Sequence, residues 1–252
     1  MKKPLFAFFG TSVDSHYALE QLERLDLPPA LVIDSKDFPP ELYNTEWDFF
    51  LVASYGKLLP KKILSLPRRG CLNIHPSLLP KFRGPSPYVS AILADERETG
   101  VSLMLMEETM DTGPILAQAR IAIDETDWPP SGLLLSQMLF TEGVNLLAEV
   151  LPAWLKGTLE PLPQDESKAT YTKKFSDADA LLRQGFEGHA RESFLKIKAF
   201  DKNPRAYFIN EKGKRVIVTD AEFADGALKI LTVLPEGKKE MPYADYLRGI
   251  RP

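Results

Sequence analysis

The segment 5-LFAFFGTSVDSHYALEQLERL-25 sets the architecture. Residues 5–9 form a continuous apolar run that meets a turn at Gly10-Thr11-Ser12, after which Ala18, Leu19, Leu22 and Leu25 recur at helical spacing. Strand, turn and helix follow one another. Working outward, residues 30–33, 49–53 and 71–74 are three more short apolar runs bounded by Pro, Asp and Asn. Strands alternating with helical segments predict an α/β fold whose sheet is mainly parallel and covered by helices on both faces. Chemistry in such sheets gathers beyond the carboxyl ends of the strands, where 54-SYGKLLP-60 and 73-NIHPSLLPKFRGPSP-87 lie. Residues 99–106 and 114–123 read as two further β segments joined by a loop over 107–113. A long amphipathic helix is expected from Ser131, as its N-cap, to Leu155.

Composition changes after Trp154. Residues 157–174, GTLEPLPQDESKATYTKK, are rich in Pro, Thr and charge and lack apolar periodicity. A domain over 1–160, a linker over 161–175 and a small domain over 176–252 are therefore expected. The last part reads as a helix over 187–200, β segments near 205–209, 214–223 and 227–234, and a closing helix near 242–247. That is enough for a small β-rich, barrel-like module.

A hydrophobic fraction of 44% and a charged fraction of 26% are ordinary for a soluble globular protein and argue against disorder. The start, Met1-Lys2-Lys3-Pro4, is basic, but the apolar run that follows is too short for a signal peptide or a membrane span. A cytoplasmic protein that makes no use of a membrane is the expectation, and a monomer. Cys71 is the single cysteine, so no internal disulfide forms, and its apolar setting predicts a buried structural thiol. The net charge of -4 conceals an asymmetry. Residues 168–252 hold 17 Lys plus Arg against 12 Asp plus Glu, net +5, whereas residues 1–167 hold 14 against 23, net -9. A basic end can face a polyanion or simply be a solvated surface.

Asn73-x-His75, Ser77-Leu78-Leu79-Pro80 and Asp111-Thr112-Gly113 form the informative constellation. Strand side chains alternate, so Asn73 and His75 project to the same side of the sheet. Moving an acyl group onto an amine requires a proton carrier, a donor for the oxygen that gains charge and a means of protonating the leaving nitrogen. Histidine titrates near neutrality, and an asparagine amide donates without changing charge. A carboxylate such as Asp111 near His75 would attract the imidazolium and order a water. Each element also has a structural reading: a hydrogen-bonded histidine, a turn-forming asparagine before Pro76, and an Asp-Thr-Gly turn. Spacing alone leaves both open.

Written out, 70-GCLNIHPSLLPKFRGPSPYVSAILADERETGVSLMLMEETMDTGPILAQ-118 closely resembles the catalytic core of the methionyl-tRNA formyltransferase family. The similarity covers Asn-x-His, the Ser-Leu-Leu-Pro loop, Arg-Gly-Pro, Glu-Thr-Gly-Val and Asp-Thr-Gly. It implies a Rossmann-like formyltransferase domain using 10-formyltetrahydrofolate, with Asn73, His75 and Asp111 catalytic and Ser77, Leu78, Leu79 and Pro80 as the folate loop. It further implies that Tyr55, Gly56, Leu58 and Met110 line the pteridine pocket, and that no metal takes part. Formyltransferases acting on glycinamide ribonucleotide or amino sugars share Asn-x-His and the later Asp, so these residues mark the reaction rather than the acceptor.

The acceptor is read from the C-terminal third. There, 195-LKIKAFDKNPRAYF-208 and 235-PEGKKEMPYADYLRG-249 are similar to the family's C-terminal domain, which helps hold initiator methionyl-tRNA. Lys196, Lys198, Lys202, Arg205, Lys238 and Lys239 are the candidate phosphate contacts. Two features depart from the family. The long basic loop after the second strand is missing, since Ile33 leads through residues 34–40 almost directly to the third strand. The usual tryptophan after Ala199-Phe200 is absent as well. A smaller amine, such as an amino-sugar nucleotide or glycinamide ribonucleotide, and simple deformylation of the folate are the alternatives. A dinucleotide oxidoreductase is disfavoured, because 10-GTSVDS-15 is not the glycine fingerprint that a pyrophosphate needs.

Overall fold

The computed structural model describes residues 3–35, 37–183 and 185–250. Met1 and Lys2 of the basic start, and Lys36 in the connection that replaces the long loop, lie outside them. The chain divides into two compact units. One comprises Met1–Pro87, Glu98–Ala122 and Ser136–Lys173; the other comprises Tyr88–Arg97, Ile123–Leu135 and Lys174–Pro252.

The first unit is built on β1 (Phe6–Phe9), α1 (Val13–Arg24), β2 (Leu31–Ile33), α2 (Glu41–Asn44), β3 (Phe49–Val52), α3 (Lys61–Leu64) and β4 (Cys71–His75). It is completed by β5 (Thr99–Leu105), β6 (Ile115–Ile121) and most of helix α5 (Gly132–Lys156). The six strands lie in the order β2-β1-β3-β4-β5-β6. β2, β1, β3 and β4 are parallel, while β5 runs antiparallel to β4, and β6 to β5. The α/β expectation holds. β6 runs antiparallel to β5 because residues 106–114, which join them, are too few for a parallel crossover.

Every residue of β1 and β3 is buried, as befits strands covered on both faces. On one face Ala7, Phe9, Phe50, Val52 and Cys71 pack with Leu42 of α2, Trp47 and Ile63 of α3. On the other the Phe6 and Phe49 rings stack at 4.6 Å. Ile74 meets α5 at Gly143, where a Cβ would sit 2.4 Å from Ile74 Cγ2, so only glycine permits this approach. Helix α5 is the one described helix long and apolar enough to cross a membrane. Here Leu135, Leu139, Phe140, Leu147 and Leu151 are buried within the protein, each contributing about 1.5–3 kcal/mol by leaving water. Its start is capped by Ser131 as expected, with Leu134 N donating to Ser131 Oγ at 3.2 Å. At α1, Ser12 and Ser15 cap reciprocally: Ser15 N donates to Ser12 Oγ at 3.1 Å and Ser12 N to Ser15 Oγ at 2.9 Å.

Residues 162–172, within the stretch expected to be a linker, run along the first unit. Leu162 exchanges two backbone hydrogen bonds with Ile115, both of 2.8 Å, and Thr170 and Thr172 flank Arg83.

The second unit contains most of α4 (Pro87–Leu93), followed by α6 (Ala190–Ala199), β7 (Tyr207–Ile209), β8 (Arg215–Ala224), β9 (Ala227–Pro235), β10 (Met241–Pro242) and α7 (Tyr243–Ile250). Its four strands form an antiparallel sheet in the order β10-β9-β8-β7. The expected helix over 187–200 begins at Ala190, after a short 3-10 turn. Phe194 of α6 stacks on Phe223 at 5.7 Å. Arg191 forks onto Asp95 through Nη2–Oδ1 at 2.6 Å and Nε–Oδ2 at 3.1 Å, and Trp128 Nε1 donates to the same carboxylate at 2.8 Å. Residues remote in sequence thus complete this unit.

Candidate active site

β3 and β4 are parallel neighbours with Val52 opposite Asn73, so the loop that leaves β3 emerges beside the end of β4. Cys71 belongs to the core cluster on one face of β4, whereas Ile74 packs on α5 at the other. The two-residue period therefore places Asn73 and His75 on the face of Cys71. His75 is 3% exposed. Its Nε2 lies 3.0 Å from Phe82 O. A carbonyl only accepts, so Nε2 carries the hydrogen and Nδ1 is the nitrogen free to exchange a proton. Nδ1 faces Asp111 Oδ2 at 3.7 Å.

Asp111 has a left-handed backbone, φ 56°, a conformation that aspartate tolerates better than most residues. Its Oδ2 accepts from Gly84 N at 2.7 Å. Gly84 has φ 115°, and a Cβ there would stand 2.7 Å from Thr172 Oγ1, so glycine is required for this amide to reach the carboxylate. The Asn73 amide is partly buried and takes no hydrogen-bond partner among the described residues. Three groups of complementary chemistry are thereby assembled at one strand end: an unspent amide donor, an imidazole with one free nitrogen and a carboxylate.

The 77–80 loop is held from the antiparallel side of the sheet. Ser102 Oγ donates to Ser77 O at 2.7 Å and accepts from Leu79 N at 3.0 Å, while Gln118 Nε2 donates to Leu79 O at 2.9 Å. Ser77 Oγ in turn donates to Lys81 O at 2.8 Å, which spends the hydroxyl on the loop itself. Ser77 and Leu79 are buried, and Leu78 and Pro80 are partly exposed. The residues expected to line a pteridine pocket divide. Tyr55 is buried in the core beside Phe9, with its hydroxyl donating to Ser35 O at 2.9 Å. Burial, and then the charge of Asp37, push its phenol above its ordinary range. Gly56, Leu58 and Met110 are exposed, the latter two at 55% and 48%. Among the described residues no group of three or more His, Cys, Asp or Glu is placed to hold a metal ion.

The basic candidates lie in the second unit. Lys196 Nζ donates to Leu181 O at 3.0 Å, Lys198 lies 5.3 Å from the centre of the Phe194 ring, and Lys202 lies 6.0 Å from that of Tyr88. Arg205 is partly exposed and its carbonyl accepts from Arg215 at 3.3 Å. Lys238 and Lys239 are fully displayed in the turn between β9 and β10. Sequence reading overlooked Phe82, Gly84, Ser102, Gln118 and Gln164. Only the Arg-Gly-Pro run hinted at the first two, and nothing distinguishes Gln164 from any other polar residue of a Pro-rich stretch.

The family model described as formyl transferase matches residues 29–150. The methionyl-tRNA formyltransferase of Roseiflexus sp. is 36% identical over 236 residues, covering 84% of this chain and 70% of that protein. That of Chloroflexus aurantiacus is 37% identical over 226 residues, covering 79% and 71%. Among solved structures, the methionyl-tRNA formyltransferase from Clostridium thermocellum superposes with a TM-score of 0.68 at 18% identity, over 92% of this chain and 98% of that one. HypX from Aquifex aeolicus in complex with tetrahydrofolic acid gives 0.71 at 21% identity, over 98% and 47%, and these two likenesses concern the fold. Identity above one third across most of both sequences, on a chain that folds Asn73, His75 and Asp111 into one site, shows that it belongs to the methionyl-tRNA formyltransferase family.

Proposed function

We propose that this protein transfers a formyl group from 10-formyltetrahydrofolate to the amino group of initiator methionyl-tRNA in the cytoplasm, acting as a monomer. The observation that carries the reading is the meeting of Asn73, His75 and Asp111 at the end of β4, in a chain more than one third identical to methionyl-tRNA formyltransferases.

The folate, held by the 77–80 loop together with Tyr55, Gly56, Leu58 and Met110, supplies the formyl carbon. The protein supplies the proton carrier and the hydrogen bonds. His75 takes a proton from the attacking amine at Nδ1, the only ring nitrogen not committed to a carbonyl, and passes it to the leaving folate nitrogen as the bond from that nitrogen to the formyl carbon breaks. Asn73 donates to the oxygen that gains charge, a role that suits an amide with no other partner among the described residues. Asp111, fixed by Gly84 N, keeps a negative charge beside Nδ1 while the proton resides there and steadies the ring. We assign residues 1–160 to catalysis, 161–175 to a connection whose residues up to Lys173 pack within the first unit, and 176–252 to tRNA, with Lys196, Lys198, Lys202, Arg205, Lys238 and Lys239 as phosphate contacts.

An acceptor screen tests the proposal. Purified protein with 10-formyltetrahydrofolate is offered charged initiator tRNA, glycinamide ribonucleotide, an amino-sugar nucleotide or no acceptor. Formylation of methionyl-tRNA alone is expected; transfer to a small amine, or formate release without any acceptor, overturns it.

A further inference from the structure

Arg83 is 1% exposed, an unusual place for a guanidinium. All five of its N–H groups are used. Nε and Nη2 donate to Gln164 Oε1 at 3.1 and 2.8 Å, Nη1 and Nη2 fork onto the two Glu166 carboxylate oxygens at 2.8 and 2.7 Å, and Nη1 also reaches Tyr171 Oη at 3.5 Å. Gln164 is equally committed. Its Nε2 donates to Asp111 O at 2.9 Å and to Gly113 O at 2.7 Å, so one amide grips both ends of the Asp-Thr-Gly turn. The backbone around Arg83 serves the same site. Phe82 O holds His75 Nε2, and Gly84 N holds Asp111 Oδ2. Thr170 O accepts from Arg83 N at 2.9 Å, and Thr172 N donates to Arg83 O at 2.7 Å.

We propose that Gln164, oriented by the buried Arg83, is a positioning residue that sets the distance between the Asp111 carboxylate and His75 Nδ1. A left-handed aspartate is strained unless its surroundings hold it, and the two amide hydrogens of Gln164 bond two of this turn's carbonyls. The Oε1 atom of Gln164 has no freedom to turn away, because two Arg83 N–H groups fix it. A side-chain amide can accept from Arg83 and donate to Asp111 at once. Shifting a proton carrier's partner by about 1 Å can lower turnover by roughly 100-fold.

The inference rests on formyl transfer at His75, and two variants test it in the full chain. Gln164→Glu keeps the acceptor for Arg83 but sets a carboxylate oxygen against the carbonyls of Asp111 and Gly113. Its melting temperature should stay near that of the parent, and folate affinity and acceptor KM should change little. The kcat should fall on the order of 10- to 100-fold, with an altered pH profile. Gln164→Met, which removes both functions at similar volume, serves if the first variant is unstable. Either folded variant should also change the 15N signals of the His75 ring, one of only three histidines in the chain. A folded variant with parental kcat, pH profile and His75 signals overturns the positioning role. An inactive parent protein overturns the proposed function instead, so the two failures are distinguishable.

Discussion

Asp111 Oδ2 lies 3.7 Å from His75 Nδ1, while the other ring nitrogen of His75 is tied to Phe82 O at 3.0 Å. The imidazole is thus held in one tautomer by a loop that follows its own strand and faced by a carboxylate from the loop that joins β5 and β6. Removing the ring, the carboxylate or the nearby amide leaves the sheet intact, because none of the three fills the apolar core. We therefore expect His75→Ala, Asp111→Ala and Asn73→Ala each to lower formyl transfer on the order of 100-fold or more. Circular dichroism should be unchanged. A well-folded His75→Ala protein with near-parental turnover would refute the mechanism.

Ligand specificity gives a second expectation that needs no turnover. A ligand that binds only the native state stabilises it by mass action, about 2.7 kcal/mol at 100 times its dissociation constant. For a protein of this size that corresponds to a melting shift of roughly 5–10 °C. Tetrahydrofolate should produce it and NADP should not, since the β1–α1 turn lacks a pyrophosphate cradle. The reverse pattern in a thermal scan would remove the folate from the site.

The parts of this molecule that were legible in the sequence are those fixed by local patterns. Apolar runs placed β1, β3 and β4 within one residue, because strands buried on both faces need nothing but apolar side chains. The two-residue period put Asn73 and His75 together. What stayed hidden depends on long-range partners. The Arg83–Gln164 contact joins residues 81 apart in sequence, and Gln164 falls in a stretch whose Pro-rich composition reads as a connector. The packing of the Tyr55 ring against Phe9 was hidden for a related reason, since the direction an aromatic side chain faces is decided by tertiary packing.

Cys71 offers a pH-dependent test of the core. Burial pushes its thiol up to about 12, with its hydrogen directed at Leu64 O, 3.8 Å away. The unfolded thiol ionises near its ordinary value of about 8.5. The native state therefore keeps a proton that the unfolded chain releases, and stability from this group is fully present below the unfolded value. It is lost as pH rises towards about 12, at up to roughly 1.4 kcal/mol per pH unit. Chemical denaturation from pH 8 to 11 should show this decline, and Cys71→Ala should flatten it. Thiol reagents should react at pH 8 only as fast as the protein opens; rapid stoichiometric labelling of native protein would contradict the burial.

The acceptor can be tested through charge. The residues 1–167 carry net -9 and residues 168–252 net +5, and Lys238 and Lys239 stand free of the fold at the β9–β10 turn. If methionyl-tRNA is held there, each lost phosphate contact should reduce the slope of log affinity against log salt by about 0.7–1. Lys238→Ala/Lys239→Ala should then weaken tRNA binding and flatten its salt dependence, leaving folate protection and the chemistry at His75 untouched. Substitution is a cleaner probe than truncation near Lys174. Cutting there would strip Arg191 from Asp95, whose carboxyl it holds below the usual range through their hydrogen bonds, and would unpair residues that belong to the second unit but precede the cut. A truncated protein could fail for want of a core rather than for want of a tRNA contact. The decisive measurement is tRNA affinity across a salt series for the parent and the double variant. Identical slopes would exclude this turn as a phosphate contact, and a flat dependence in both would make a small amine the better acceptor.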